Sequence, residues 1–242
     1  MKAMIFAAGL GTRLRPLTDR MPKALVPVGG RPLLEILVER LHSEGFDDIV
    51  VNVHHFAEQI VSWSKGRNGI RLSDESAQLL ETGGGIRHAR PLLADCDRFL
   101  IHNVDILSNA RLHEFFDAGA NHEATLMVSE RETSRYLLFD CNMRLVGWTN
   151  IATGEVRSPY RDLDLSQCRK LAFAGIHQMS TSLFPLMDEW PERFSIIDFY
   201  LAICHERDIY GYVQPDLRLM DVGKQDTLAK AEEFVREVGG RK

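Results

Sequence analysis

Between residues 2 and 118, short apolar runs of strand length alternate with stretches whose apolar residues recur at helical spacing, and few folds accommodate that alternation. Lys2–Ala7 reads as a first strand, Asp48–Val53 as a second rich in β-branched residues, Gly69–Leu72 as a short third and Arg98–His102 as a buried fourth. Between them, Arg31–Glu44 sets Leu33, Leu34, Leu37, Val38 and Leu41 on one helical face and stops at Gly45. Phe56–Ser64, Gly85–Leu93 and Ala110–Ala118 are also expected to be helical, and Gly9–Asp19 to be a long loop. Strands joined through helices run parallel, and strands apolar on both sides need cover on both faces. The first 120 residues therefore predict an α/β, Rossmann-like arrangement of three layers, with helices flanking a mostly parallel sheet.

The second half changes character. Ala124–Ser129, Tyr136–Phe139 and Arg144–Thr149 read as strands, the last two joined by a turn at Asp140-Cys141-Asn142. Lys170–Gln178 is a further strand, Ile196–His205 a helix and Ile209–Val213 a strand. Thr227–Val238 closes the chain as a helix with Leu228, Ala231, Phe234 and Val235 on its apolar side. With no repeat and no low-complexity linker, residues 1–242 are expected to form a single domain, its halves meeting near residue 120.

Composition excludes several function classes. Hydrophobic residues make up 45% and charged residues 26%, enough apolar material to offset ordering entropy in a soluble globular chain. The longest apolar runs are strand-sized, so no membrane span is expected, and the N-terminal run meets Gly9 too early for a signal peptide. Cys96, Cys141, Cys168 and Cys204 are far apart with no C-x-x-C, which suits a reducing, cytoplasmic compartment and opposes a zinc knuckle. A net charge of −5 disfavours nucleic acid as a partner. Within it, the first 24 residues set Lys2, Arg13, Arg15, Arg20 and Lys23 against Asp19 alone, a local basic cluster suited to a small anion.

That cluster surrounds the most informative stretch, Ala7-Ala8-Gly9-Leu10-Gly11-Thr12-Arg13-Leu14-Arg15-Pro16-Leu17-Thr18, followed by Pro22-Lys23-Ala24-Leu25-Val26-Pro27-Val28. Small residues after a first strand let a base and a phosphate chain approach the backbone, and Gly9 and Gly11 leave N–H groups for phosphate oxygens. Arg13 and Lys23 supply positive charge where a leaving group turns negative. A plain glycine turn with two solvated cations is the alternative for any one of these features, less so for the whole stretch. A dinucleotide fingerprint would need a third glycine where Leu14 stands and an acid where the second strand ends in Asn52 and Val53; a Walker loop would need a Gly-Lys-Ser/Thr triplet.

The stretch resembles the signature of the sugar-1-phosphate nucleotidyltransferases, also called nucleotide-sugar pyrophosphorylases. The resemblance continues through Glu81-Thr82-Gly83-Gly84-Gly85-Ile86, Asn103-Val104-Asp105, Phe173-Ala174-Gly175-Ile176 and Asp221-Val222-Gly223, so it covers nearly the whole chain in order. It implies a GT-A-like fold, Mg²⁺ as cofactor, and transfer of a nucleoside monophosphate from a triphosphate to a sugar 1-phosphate by a monomer or homodimer. Residues 1–120 would mainly bind nucleotide and 121–242 the sugar phosphate. Ala7, Ala8, Gly9 and Gly11 would line the nucleotide, Thr12 and Arg13 hold its β- and γ-phosphates, and Glu81, Gly83 and Gly84 surround the base. Arg13 and Lys23 would be catalytic, Lys23 touching phosphate during transfer. Asn103, Gly175 and Asp198 would face the sugar, and Asp105 and Asp221 would bind the metal.

Elementary chemistry agrees with these roles. Magnesium takes one or two carboxylates along with waters and phosphate oxygens. Asp105 follows a buried strand, at the sheet edge where open α/β folds collect ligands, although such an aspartate is often a turn or N-cap residue. A sugar phosphate is already an anionic nucleophile, so no general base is needed, and neither Gly-x-Ser-x-Gly nor His-Glu-x-x-His occurs. His54 and His55 are adjacent on extended chain and face opposite ways, and His102 suits a core or loop position.

Leu80–Gly85 is similar to short bacterial enzymes resembling N-acetylmuramate 1-phosphate uridylyltransferase, which favours UTP with an amino-sugar 1-phosphate. The same segment occurs in proteins resembling mannose- or heptose-1-phosphate guanylyltransferases, and compact phosphocholine enzymes using CTP share the first motif. A noncatalytic nucleotide-sugar sensor is the remaining alternative, although Arg13, Lys23, Asp105 and Asp221 are all present. Two departures stand out. The uridylyltransferase pattern has a lysine near Ser195, and Arg131–Arg161 is individual to this chain.

Overall fold

Successive residues of the first strand, β1 (Lys2–Phe6), point into opposite cores: Ala3 and Ile5 join one apolar cluster and Met4 the other. The same alternation in Leu100 against Phe99 and Ile101 gives the sheet two buried faces and the molecule three layers. The computed structural model describes residues 1–239. After β1 come the ribbon β2 (Pro27–Val28) and β3 (Arg31–Pro32), then α1 (Leu33–Ser43), β4 (Asp48–Val53), α2 (Ala57–Ser64), β5 (Ile70–Asp74), α3 (Glu81–His88), α4 (Arg90–Leu93), β6 (Arg98–Asn103), β7 (Ile106–Ser108) and α5 (Leu112–Ala118). The second half runs β8 (Ala124–Ser129), β9 (Arg135–Phe139), β10 (Leu145–Asn150), β11 (Glu155–Arg157), β12 (Arg169–Ser180), α6 (Phe184–Met187), α7 (Ile196–Ile203), β13 (Ile209–Val213), β14 (Leu219–Asp221) and α8 (Gln225–Gly239).

One mixed, ten-stranded sheet draws on both halves, in the order β11-β10-β9-β12-β6-β1-β4-β5, with β8 paired to β12 and β13 to β8. Its central strands β5, β4, β1 and β6 are parallel. The chain builds outward from β1 to β4 and β5, then returns to the other side of β1 as β6. Order therefore reverses at β1, the place where open α/β sheets leave a crevice at their carboxyl ends. The second half is added through the long strand β12, antiparallel to β6, β8 and β9.

Two of the expected helices have instructive departures in their limits. Arg31 and Pro32 pair with Val28 and Pro27, because a residue before proline avoids the helical region, so α1 starts at Leu33. The helix expected over Gly85–Leu93 starts at Glu81 and breaks at Ala89, with Pro91 opening α4. Lys2 also departs from the expected basic cluster. It lies at the opposite end of β1 from the glycines, buried and ion-paired with Asp48 and Asp95. No helix among the described residues is long and apolar enough to cross a membrane, and all four cysteines are free.

Two histidines are buried in the sheet as neutral rings. Burial lowers the pKa of His102, whose Nδ1 lies 2.8 Å from the Asn103 carbonyl, from 6.5 to about 4. Burial lowers that of His177, 2.9 Å from the Tyr200 hydroxyl, to about 3. Below pH 6.5 the unfolded chain binds protons that the folded chain refuses, so stability is fully present above that pH and falls toward pH 4. Each such proton contributes a slope of about 1.4 kcal/mol per pH unit. Thermal unfolding midpoints followed from pH 8 to 4.5 should decline below pH 6.5, and less steeply in His102→Gln. Equal slopes in the two proteins would show that His102 does not stay neutral in the fold.

Candidate active site

Where β1 stops, its backbone still needs partners, and a side chain supplies them. The Asn52 Oδ1, at the end of β4, accepts the Ala7 N–H at 2.7 Å and the Ala8 N–H at 3.3 Å. The first strand therefore ends at Phe6 rather than Ala7. Asn52 Nδ2 donates to Glu75 Oε1 at 2.7 Å, and Glu75 Oε2 accepts the Leu80 N–H at 3.4 Å just before α3. Asn52 and Glu75 are each 2% exposed. Burial raises the Glu75 carboxyl above its ordinary range, against the opposing donations from Asn52 and Leu80. This buried pair ties the turn after β1 to the segment that opens α3. Sequence reasoning used Asn52 only to reject a dinucleotide site and overlooked Glu75; a lone polar residue closing the apolar run Asp48–Val53 was the available signal.

Beyond the turn, the N–H groups of Gly9, Leu10 and Gly11 donate to no protein acceptor among the described residues. Gly11 has φ +62°, and a Cβ there would meet the Thr18 methyl at 2.7 Å, while the Thr18 hydroxyl donates to the Gly11 carbonyl at 2.8 Å. Only glycine fits that corner. It leads into a short 3₁₀ turn, Thr12–Leu14, on which Thr12 and Arg13 are exposed.

The two aspartates meet through an antiparallel ribbon. β14 pairs with β7 so that Asp221 lies opposite Ile106, and the Val222 N–H donates to the Asp105 carbonyl at 2.8 Å. Lys23 Nζ bonds directly to Asp105 Oδ2, the side chains being 11% and 18% exposed. Arg13 Nη2 stands 3.9 Å from Asp221 Oδ2. Burial, then the neighbouring Asp105 charge, raises the Asp221 carboxyl above its usual range. The two aspartates thus lie side by side, flanked by Arg13 and Lys23. Two convergent hard oxygen donors fit magnesium, which needs few protein ligands when phosphates and water complete its shell. No group of three or more His, Cys, Asp or Glu suited to a metal exists among the described residues.

These groups border an open cleft of about 420 Å³ at the carboxyl edge of β1, β4 and β6. Ala7, Ala8, Gly9, Lys23, Asn52, Glu75, Glu81, Thr82, Asn103 and Asp105 line it. Gly83 and Gly84 lie behind its wall: their N–H groups donate to the Phe194 carbonyl at 2.8 and 3.3 Å, and a Cβ on Gly83 would enter the Phe194 ring. The Thr82 hydroxyl accepts the Ile196 N–H at 2.9 Å, and Arg193 pairs with Glu81 at 2.8 Å. The segment before α7 is thereby fastened to α3. Gly175, φ +74°, sits where the pairing of β12 with β8 shifts register, close against the Asn103 amide.

A second cleft, of about 640 Å³, shares Ser195 with the first. Asp198 lines it rather than the first, and its carboxylate is engaged by Arg157 at 2.6 Å. Fourteen of the fifteen sequence-derived site residues thus cluster about the carboxyl edge of β1 and β6, with Asp198 across Ser195.

A family model described as nucleotidyl transferase matches residues 2–137. Over 97% of each chain, the sequence is 46% identical to N-acetylmuramate alpha-1-phosphate uridylyltransferase of Caulobacter vibrioides. The chain belongs to the nucleotidyl transferase family. It is also 45% identical to the Neisseria meningitidis protein of the same name, over 50% of this chain and 54% of that one. Among solved structures, the inositol-1-phosphate CTP transferase from T. maritima superposes with a TM-score of 0.77 at 15% identity, covering 99% of this chain and 96% of the other. That likeness concerns the fold, which is the GT-A-like one.

In this transferase, Asn52→Leu would strand the Ala7 and Ala8 N–H groups and the Glu75 carboxyl. A loss of about 1–3 kcal/mol is expected, read as a lower urea midpoint at unchanged m-value. A midpoint within error of the parent protein would show that the turn does not depend on Asn52.

Proposed function

We propose that the chain transfers a uridylyl group from UTP to an acidic amino-sugar 1-phosphate, N-acetylmuramate 1-phosphate being the leading candidate, and releases pyrophosphate. The observation that carries this choice is the full-length similarity to the Caulobacter uridylyltransferase. The chain's own geometry supports the chemistry. Residues 1–120 contribute the nucleotide site and residues 121–242 most of the sugar site, within one domain. Such a reaction belongs to the supply of nucleotide sugars for the cell wall and to the cytoplasm, where nucleoside triphosphates are found.

In the proposed reaction, an oxygen of the sugar's phosphate attacks the α-phosphorus of UTP. One phosphorus–oxygen bond forms as the bond to the departing pyrophosphate breaks. The nucleophile arrives ionised, so the protein's work is alignment and charge neutralisation. The unengaged N–H groups of Gly9 and Gly11 are available to the phosphate chain, with Thr12 and Arg13 beside them at the β- and γ-phosphates. Lys23 leaves Asp105 for phosphate when the triphosphate enters, an exchange their direct ion pair makes short. Asp105 and Asp221 are the residues that would hold Mg²⁺, which when bound supplies Lewis-acid neutralisation of phosphate charge. Glu81, Gly83 and Gly84 shape the base side, and Asn103 and Gly175 face the sugar across the same cleft.

Pyrophosphate release measured for ATP, CTP, GTP and UTP against a panel of sugar 1-phosphates tests this directly. UTP with N-acetylmuramate 1-phosphate should give the highest kcat/KM. A best pair with GTP and a neutral hexose phosphate, or CTP and phosphocholine, would replace the substrate assignment. Tight nucleotide binding with no release from any pair would instead indicate a sensor. Asp105→Asn should lower kcat by a factor on the order of 10² or more with an unchanged circular dichroism spectrum and melting curve. Near-normal turnover in that variant would remove Asp105 from the metal site.

A further inference from the structure

The second cleft carries more positive charge than a neutral sugar requires. We propose that it selects a carboxylate on the sugar's ring substituent, with Arg135 as the group that reads it, an assignment that rests on the reaction proposed above. The strands β9, β10 and β11 form an antiparallel meander, in which directly opposed residues share a face. Its registers place Arg135 opposite Asn150 and Asn150 opposite Glu155, with Leu137, Trp148 and Arg157 as the next row. These residues make one wall of the cleft, beside Arg131.

The three arginines are not equivalent. Arg157 lies 4.0 Å from the Trp148 ring centroid, holds Asp198 at 2.6 Å and stands 3.6 Å from Glu155. Stacked on an indole and balanced by two acids, it is a fixed part of the wall. Arg131 donates to the Phe173 carbonyl at 3.1 Å, which places it without neutralising it. Arg135 is exposed, and its guanidinium has no acidic partner among the described residues.

A neutral sugar offers hydroxyl groups, which exchange hydrogen bonds with amides and carboxylates as readily as with guanidinium. A carboxylate matches the planar guanidinium fork and gains charge-assisted bonds. The substrate's own phosphate does not account for Arg135. Its place is beside Lys23 and Asp105 in the first cleft, and the two clefts share Ser195 alone among their lining residues. A second, separate anion is what remains to be matched.

The test uses the full-length enzyme with UTP and two substrates, N-acetylmuramate 1-phosphate and N-acetylglucosamine 1-phosphate, which differ by the lactyl ether bearing the carboxylate. The quantity read is the ratio of kcat/KM for the acidic sugar to that for the neutral one. The parent enzyme should favour the acidic sugar, and Arg135→Gln should lower the ratio about tenfold to hundredfold, chiefly through KM for the acidic sugar. Arg135→Lys should recover part of the loss, since charge remains while the fork is gone. An unchanged ratio in Arg135→Gln overturns the assignment and identifies a solvated surface arginine. Equal losses on both sugars overturn it as well, because they mark a structural effect. Transfer by the parent enzyme to the neutral sugar alone overturns the carboxylate role and leaves the transferase reaction standing. Absence of pyrophosphate release with both sugars and every nucleotide overturns the underlying reaction.

Discussion

The amide side chain of Asn52 does work that a neighbouring strand would otherwise do. At the carboxyl edge of β1 the main chain must leave the sheet to form a ligand-facing turn, and its first two N–H groups lose their ladder partners there. Asn52 Oδ1 takes both, at 2.7 and 3.3 Å, and its Nδ2 is spent on Glu75. Glu75 in turn restrains the approach to α3. One buried amide and one buried carboxyl therefore tie the turn after β1 to the segment that opens α3. An apolar residue at either position would leave buried polar groups unpaired.

Charge at this edge is compensated rather than accumulated. Arg13 and Lys23 flank the two aspartates, so the site is internally compensated before any substrate arrives. In the proposed reaction a triphosphate competes for both cations, so that its entry exchanges existing ion pairs. The raised Asp221 carboxyl follows from burial and from crowding against Asp105. A divalent cation relieves the same crowding.

The fold separates two clefts by strand direction. Parallel strands joined by helices produce the crevice at β1 and β6, and antiparallel strands carried on β12 build a wall beside it. The seam between them is the segment Arg193–Ile196, bonded to α3 through Glu81, Thr82, Gly83 and Gly84. Ser195 belongs to both clefts. Gly83 and Gly84 of α3 permit this close contact with Phe194 and Glu192, and Gly85 lies against Glu75 and Asn52.

Local chemistry made much of this legible from residue order alone. The strand at Asp48–Val53 has the limits its β-branched run predicted, and α1 buries the five residues its spacing selected. The motif from Ala7 to Lys23 identified the turn and its cations because small residues, glycine and paired basic groups constrain backbone and charge within a short span. Helix starts at Leu33 and Glu81 were missed where proline and an unsuspected packing partner overrode periodicity. Local spacing could not bring Asp105 and Asp221 together; the family resemblance implied it, and the β7–β14 ribbon, joining segments more than a hundred residues apart, is what does it. Tertiary structure alone decided that Lys2 stands away from the site, that Glu75 supports it, and that Arg135 and Arg157 face one cleft, because burial, register and sheet order exist only once distant strands have paired.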